Sequence, residues 1–358
     1  MIDAAYLLPS NHTKNVAVLV QSSPFFHNYR HTSNILSIYQ ALKQFGNFTD
    51  DNIILMMAEE IPWNARNALK GTMAALYSHH TDQHSSNSKV LDLWDDDVEI
   101  DYIGSDVTVE ALLHVLTGRS TSQAAFDDAN NMIPFSSNRQ LPHMDENTNL
   151  FLYLTGHGGD TFFKFRDYEE ITTQDLIHTF ADIHLFQRFH EVLFVTDTCQ
   201  AYTLSPNYNP SFQKGETSSS SSQQGDEQQS IIPNIYSIAS SLKGQYSYSH
   251  HSDGTVGVSV VDRYSYEFVQ FMNQRSRWKN MHSISLKRAF VDSMYPSYQS
   301  SIIESDVGWD DVGCKRKLNQ VPLSDFLVMR QQRHHLGARN TLGNDHNIFD
   351  DDEFFMLL

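Results

Sequence analysis

The sequence predicts an α/β protein built on one central, mostly parallel β-sheet with helices on both faces. Short, almost wholly apolar runs alternate along it with segments whose apolar residues recur every three or four positions. Runs that are apolar at every position suit strands covered on both sides, and the alternation suits parallel strands joined by helices. A histidine and a cysteine each stand just past such a run, in Thr155-Gly156-His157-Gly158-Gly159 and Asp197-Thr198-Cys199-Gln200. The carboxyl ends of strands in an open parallel sheet gather on one edge, where ligands bind.

The elements follow in order. Residues 16–20 are a buried strand that exits through Ser22-Ser23-Pro24. From Asn34, the residues Ile35, Ile38, Tyr39, Leu42 and Phe45 keep helical spacing, and Gly46 stops the pattern as a C′ residue. A second strand covers 53–58. Thr108 can cap a helix with Leu112, Val115 and Leu116 on one face, closed by Gly118. A third strand ends at His157. Thr172 or Thr173 opens a helix through Leu176, Phe180 and Ile183, and a fourth strand runs into Cys199. Residues 234–241 form a fifth strand, followed by a helix carrying Tyr264, Phe268 and Phe271. Two polar stretches break the rhythm: the histidine-rich 78–88, read as a surface loop, and 214–230, a serine- and glutamine-rich insertion too poor in apolar residues to order itself.

A chain of 358 residues can bury a sizeable core. Its formal net charge of −18 argues against nucleic acid or an anionic membrane as a partner, since both attract basic surfaces. Two cysteines, Cys199 and Cys314, make neither a disulfide framework nor a zinc site. The pairs His79-His80, His250-His251 and His334-His335 lack ligand spacing. No apolar run approaches the roughly 18 residues of a membrane helix. Residues 1–14 lack the basic-then-apolar layout of a secretion signal.

The chemistry concentrates at the two strand ends. A thiol becomes a nucleophile when a base within hydrogen-bond reach takes its proton, and an imidazole on the next strand supplies one. Glycines beside that imidazole let backbone N–H groups approach a reacting carbonyl oxygen. The pairing therefore reads as an acyl-transfer enzyme with a cysteine nucleophile. Separately, Asp50, Glu99 and Asp101 offer hard oxygen ligands that suit Ca²⁺, with Glu99 and Asp101 sharing a face if they lie on a strand. A solvated acidic surface is the competing reading.

Asn28-Tyr29-Arg30-His31, Thr155-Gly156-His157-Gly158-Gly159 and Asp197-Thr198-Cys199-Gln200 resemble the three signatures of the legumain-type cysteine proteases, whose catalytic domain has a caspase-like fold. Within that group the sequence is most similar to the catalytic subunits of glycosylphosphatidylinositol (GPI) transamidases. The stretches 96–102, 115–119, 158–165, 233–241, 257–264 and 321–326 carry that narrower likeness. The resemblance implies that Cys199 is the nucleophile, His157 its proton acceptor and Asn28 the group that orients the imidazole. It places the oxyanion hole at the N–H groups of Gly158 and Cys199. Arg30, Asp197 and Ser240 would line or shape the substrate pocket, and Asp50, Glu99 and Asp101 would hold a structural Ca²⁺; the chemistry itself needs no cofactor.

The implied layout is an extension at 1–14, a caspase-like catalytic domain at 15–310 carrying the insertion 214–230, and a tail at 311–358. The implied activity is cleavage of the C-terminal signal of a proprotein and transfer of the acyl group to the ethanolamine amine of GPI. Other transamidase subunits would be the partners and supply membrane association, in the lumen of the endoplasmic reticulum. Trp63 stands where relatives often carry the cysteine that links to a partner subunit. A legumain-like endopeptidase, with water as acceptor, and an inactive scaffold of a membrane complex are the rival readings.

Overall fold

The structure, a computed structural model, describes residues 6–74, 92–95, 97–119, 139–208, 231–272, 280–295 and 303–329, and the strand backbone at 125–126 and 132–133. The insertion 214–230, the loop 78–88 and the end of the tail from 330 lie outside the described residues. In chain order the strands are β1 Lys14–Gln21, β2 Ile53–Met57, β3 Tyr102–Ile103, β4 Ala125–Phe126, β5 Met132–Ile133, β6 Thr148–Thr155, β7 Gly158–Gly159, β8 Phe162–Phe165, β9 Glu169–Thr172, β10 Glu191–Asp197, β11 Ile235–Ala239, β12 Ser249–Ser252, β13 Ser259–Asp262 and β14 Gly308–Asp310.

Seven of them make the main sheet, in the order β14-β11-β10-β6-β1-β2-β3. All neighbours are parallel except β14, which runs antiparallel to β11. The chain moves outward from β1 to β2 and β3, then returns to lay β6 on the other side of β1. Loops leaving β1 and β6 therefore diverge, and a crevice opens between them at the carboxyl edge. One row crosses that edge: Gln21 pairs with Thr155, and Thr155 with Asp197.

Alternating side chains of each strand feed two cores. On β1, Ala17 and Leu19 face one and Val16, Val18 and Val20 the other. Helices α1 Tyr29–Gln44 and α4 Arg263–Met272 cover the first, while α2 Val109–Thr117 and α3 Thr173–Leu185 cover the second. The α/β layering expected from the sequence is thus found. Thr108 caps α2 by accepting the Ala111 N–H, and Gly118 closes it at φ 65°. Thr172 and Asp175 form a reciprocal capping box on α3. Among the described residues no helix is long and apolar enough to cross a membrane.

Two features depart from the expectation, and Gly46 meets it for another reason. Helix α1 starts at Tyr29, not near Asn34, because its first turns bury polar residues (His31, Thr32, Ser33, Asn34) that leave no apolar periodicity. Gly46 follows the C-cap Phe45 at the expected C′ position, without a positive φ. A side chain there would put Cβ 2.3 Å from the Leu327 carbonyl oxygen, so close approach is what demands glycine. Finally, residues 311–329 do not trail away. Leu318, Val321, Leu323, Phe326 and Leu327 join the first core, and Asn15 and Asn149 donate side-chain hydrogen bonds to the carbonyls of Val328 and Asp325.

Candidate active site

Asn28 stands at the N-cap of α1 yet makes no capping bond. Its amide instead donates to the Pro24 carbonyl (2.6 Å), and its Oδ1 lies 2.9 Å from His157 Nε2. An amide oxygen only accepts, so the imidazole proton sits on Nε2 and Nδ1 keeps its lone pair. The backbone of His157 is pinned by its N–H to Ser23 Oγ, 3.1 Å. Burial lowers the imidazole pKa to about 4, with His31 and Arg30 adding to the fall.

Beneath this ring lies a second polar layer. His31 stands edge-on to His157 at 5.4 Å between ring centroids, and its Nδ1 is 3.0 Å from Asp262 Oδ2. Arg30 Nε donates to Asp262 Oδ1 at 3.1 Å, and Asn34 Nδ2 to Oδ2 at 2.6 Å. Burial alone would raise the Asp262 pKa, but His31, Arg30 and Asn34 outweigh it and hold the carboxylate below its usual range.

Cys199 follows β10 as His157 follows β6: each lies two residues past the paired Thr155 and Asp197. Adjacent strands run about 4.8 Å apart, so the two loops are neighbours. The described residues show no hydrogen bond between thiol and imidazole. Such bonds are often long before substrate arrives. Burial raises the Cys199 pKa, partly offset by the Ser247 N–H donating to the sulfur. Around Cys199 the N–H groups of Thr198, Gln200 and Ala201 have partners, respectively Ser240 Oγ, the Gln245 carbonyl and Ser241 Oγ. The N–H of Cys199 has none among the described residues. Gly158 pairs with Phe163 in the β7–β8 hairpin, and the Lys164 N–H bonds to the His157 carbonyl. That ladder makes Gly158 a non-hydrogen-bonded position whose N–H points away from β8. Two outward N–H groups next to a thiol and an imidazole can hold a developing oxyanion.

Residues 15–293 match the peptidase C13 family. The chain belongs to that family. It is 34% identical over 318 residues to the GPI-anchor transamidase of Schizosaccharomyces pombe, covering 89% of this chain and 70% of that one. It is also 34% identical over 326 residues to the GPI-anchor transamidase of Saccharomyces cerevisiae, at 91% and 66% coverage. Among solved structures, caspase-1 from Spodoptera frugiperda aligns with a TM-score of 0.40 and 10% identity over 93% of this chain and 97% of that one.

For this C13 chain the structure draws together most of the site residues expected from sequence. Asn28, His157, Gly158 and Cys199 converge at one edge, with Arg30 partly exposed beside them. Asp197 and Ser240 turn inward. Asp197 accepts from Ser247 Oγ and Ser265 Oγ, both at 2.7 Å, and burial, with Asp262 nearby, raises its pKa to about 6. Ser240 bonds the N–H and C=O of Thr198. Both brace the nucleophile turn from behind. The other thiol, Cys314, donates to the Ile235 carbonyl, and burial drives its pKa far up.

His31, Asp262 and Ser247 were not foreseen. His31 closes the Asn28-to-His31 motif, and Asp262 lies within the 257–264 stretch, but no spacing links positions 231 residues apart.

Asp50, Glu99 and Asp101 gather at the opposite flank of α1, each already paired. Lys43 Nζ is 2.7 Å from Asp50, and Arg139 Nη1 is 2.8 Å from Glu99 and 2.9 Å from Asp101. Glu99 and Asp101 precede β3 rather than lying on a strand. Among the described residues no group of three or more acidic, histidine or cysteine side chains is arranged to hold a metal ion. Burial raises the Asp101 pKa to about 6, against the Leu55 N–H and Arg139, which favour the charged form.

Proposed function

We propose that this chain is the catalytic subunit of a GPI-anchor transamidase. One observation carries the chemistry: Asn28 fixes the His157 proton on Nε2, leaving Nδ1 as a base beside Cys199. As the thiol attacks the carbonyl of a small residue near the C-terminus of a proprotein, its proton passes to His157 Nδ1. The oxyanion takes the N–H groups of Gly158 and Cys199. Collapse breaks the C–N bond, and the leaving amine takes the proton from His157. The ethanolamine amine of GPI then attacks the thioester, forms the new C–N bond and returns the thiol. Arg30, held by Asp262, lines the pocket for the residue before the scissile bond, while Asp197 and Ser240 keep the nucleophile turn in place.

The likeness to named GPI-anchor transamidases supports other transamidase subunits as partners, membrane association through them, and residence in the endoplasmic reticulum. As placed, Asp50, Glu99 and Asp101 do not fit a structural Ca²⁺, since Lys43 and Arg139 already pair with them. Chelation should therefore leave the melting temperature unchanged, and a fall on chelation would show that a cation displaces those pairs.

The activity test gives the complex a proprotein and hydrazine. Product bearing the hydrazide at its new C-terminus is expected, lost with Cys199→Ser and kept with Cys314→Ser. Hydrolysed product alone, unchanged by hydrazine, would make the chain a legumain-like endopeptidase.

A further inference from the structure

The chemistry above leaves the second nucleophile without a seat. On the transamidase reading the amine that resolves the thioester stands two carbons from a phosphate, and Arg30 is already engaged by Asp262. Three segments meet at the mouth of the site. The β7–β8 turn carries Asp160, directly after Gly158-Gly159. The loop 242–248 carries Lys243, and the chain leaving the short helix Ala201–Leu204 carries Tyr208. Lys243 Nζ stands 2.8 Å from Asp160 Oδ2, with the side chains 55% and 44% exposed.

Each segment is tied to the nucleophile loop. The Gly244 N–H donates to Gln200 Oε1 and the Gln200 N–H to the Gln245 carbonyl, both at 2.9 Å. Lys243 thus rides on a turn fastened to the residue after Cys199. The Thr161 N–H donates to Thr203 Oγ1 at 2.8 Å, which pins the Asp160 turn to the same short helix. Tyr208 packs edge-on against Tyr202 at 5.5 Å. Its phenol lies in the field of both charges: burial raises its pKa, Lys243 lowers it and Asp160 raises it.

An exposed ion pair adds little stability, too little to explain three anchored segments as a device for it. It does present a cation and an anion side by side, next to a phenol that can donate. That is the complement of a zwitterion with an ammonium and a phosphate a few ångströms apart. We propose that Lys243, Asp160 and Tyr208 seat the phosphoethanolamine headgroup of the acceptor, an inference that rests on the transamidase reading.

Lys243 and the Tyr208 hydroxyl take the phosphate, and Asp160 takes the ammonium. The ammonium gives one proton to water at the mouth. The free amine then attacks the thioester carbon, the C–N bond forms and the C–S bond breaks. Its second proton passes through His157 Nδ1 to the departing sulfur of Cys199.

The test uses the full chain in its complex and three acceptors: hydrazine, ethanolamine and O-phosphoethanolamine. Lys243→Gln should raise KM for O-phosphoethanolamine about tenfold, the loss of one charge-assisted bond. Transfer to hydrazine and ethanolamine, which carry no phosphate, should not lose by that factor. Lys243→Arg should restore most of the difference, and inorganic phosphate should compete in the wild type but not in Lys243→Gln. The same dependence with phosphatidylethanolamine vesicles assigns the site to a lipid-borne headgroup, and dependence with the soluble ester alone assigns it to a free one. An unchanged KM for O-phosphoethanolamine, or an equal loss on all three acceptors, overturns the assignment. Absence of amine product from the wild type with every acceptor is a different result and overturns the transamidase reading itself.

Discussion

At physiological pH His157 is neutral, because burial, His31 and Arg30 lower its pKa to about 4, and Cys199 stays a thiol because burial raises it. The pair therefore rests as thiol and imidazole, and in the proposed mechanism the proton moves only as attack begins. A base works while unprotonated, so activity should hold as pH falls through 6 and drop as pH passes about 4. Arg30→Gln removes one of the positive charges that depress the imidazole, so the acid limb should move upward. The profile of kcat/KM against pH checks both. A wild-type limb near the ordinary histidine value of about 6.5 would show that the imidazole is not depressed. Of these groups, His157 and Cys199 were legible because each sits in a short motif at a strand end, and Asn28 only through its likeness to a family signature. The His31–Asp262 layer was not, since a buried polar pair between distant segments leaves no local pattern.

The small β7–β8 hairpin sets where the N–H of Gly158, the proposed oxyanion donor, points. At Gly158 an added Cβ would lie 2.6 Å from Thr198 Oγ1 and 2.9 Å from the Phe162 carbonyl oxygen. The hydroxyl can rotate but the carbonyl cannot, so the hairpin would have to shift away from Cys199. Losing one such donor costs about 10²–10³-fold in kcat. Gly158→Ala should lose activity on that scale, while Gly254→Ala, whose Cβ meets nothing within 4 Å, should not. Peptide turnover by the two variants, compared at equal folded fraction, checks it; a fully active Gly158→Ala would remove the hairpin from the oxyanion site. The glycines after His157 were legible as a feature, but the hairpin was not. Two-residue β7 and three-residue β14 are too short for periodicity to register, and β14 joins the sheet only through distant pairing. The long strands and the capped helices α2 and α3 were legible because propensity, cap and packing agree there.

On the scale of the molecule, the site edge depends on the opposite edge of the same strands. Arg316 lies buried where β10 begins. It pairs with both oxygens of Glu191, with Asp325 Oδ2 at 2.6 Å, and with the Leu8 carbonyl. The Ser10 N–H and the Tyr236 hydroxyl complete the cluster on Asp325 and Glu191. One guanidinium thus joins the chain before β1, the start of the nucleophile strand and the segment after β14. In sequence this segment reads as a tail, since its apolar residues are scattered and its ion pairs span up to 125 positions. Removing one partner of a buried ionic cluster leaves charge uncompensated and costs about 3–5 kcal/mol. Arg316→Met should therefore lower the melting temperature by roughly 4–7 °C, since an unfolding entropy of about 2 cal/mol/K per residue makes each kcal/mol worth only about 1.3 °C in a chain of 358 residues. Arg316→Lys should recover only part, because an ammonium cannot span both carboxylates as the fork does. The triple change Arg316→Met, Glu191→Gln, Asp325→Asn should be milder than Arg316→Met alone, since no buried charge is then left unpaired. Differential scanning calorimetry of the three proteins separates the outcomes. A single Arg316→Met change that melts with the wild type would mean that residues 311–329 do not hold the base of β10, and that the site edge stands without them.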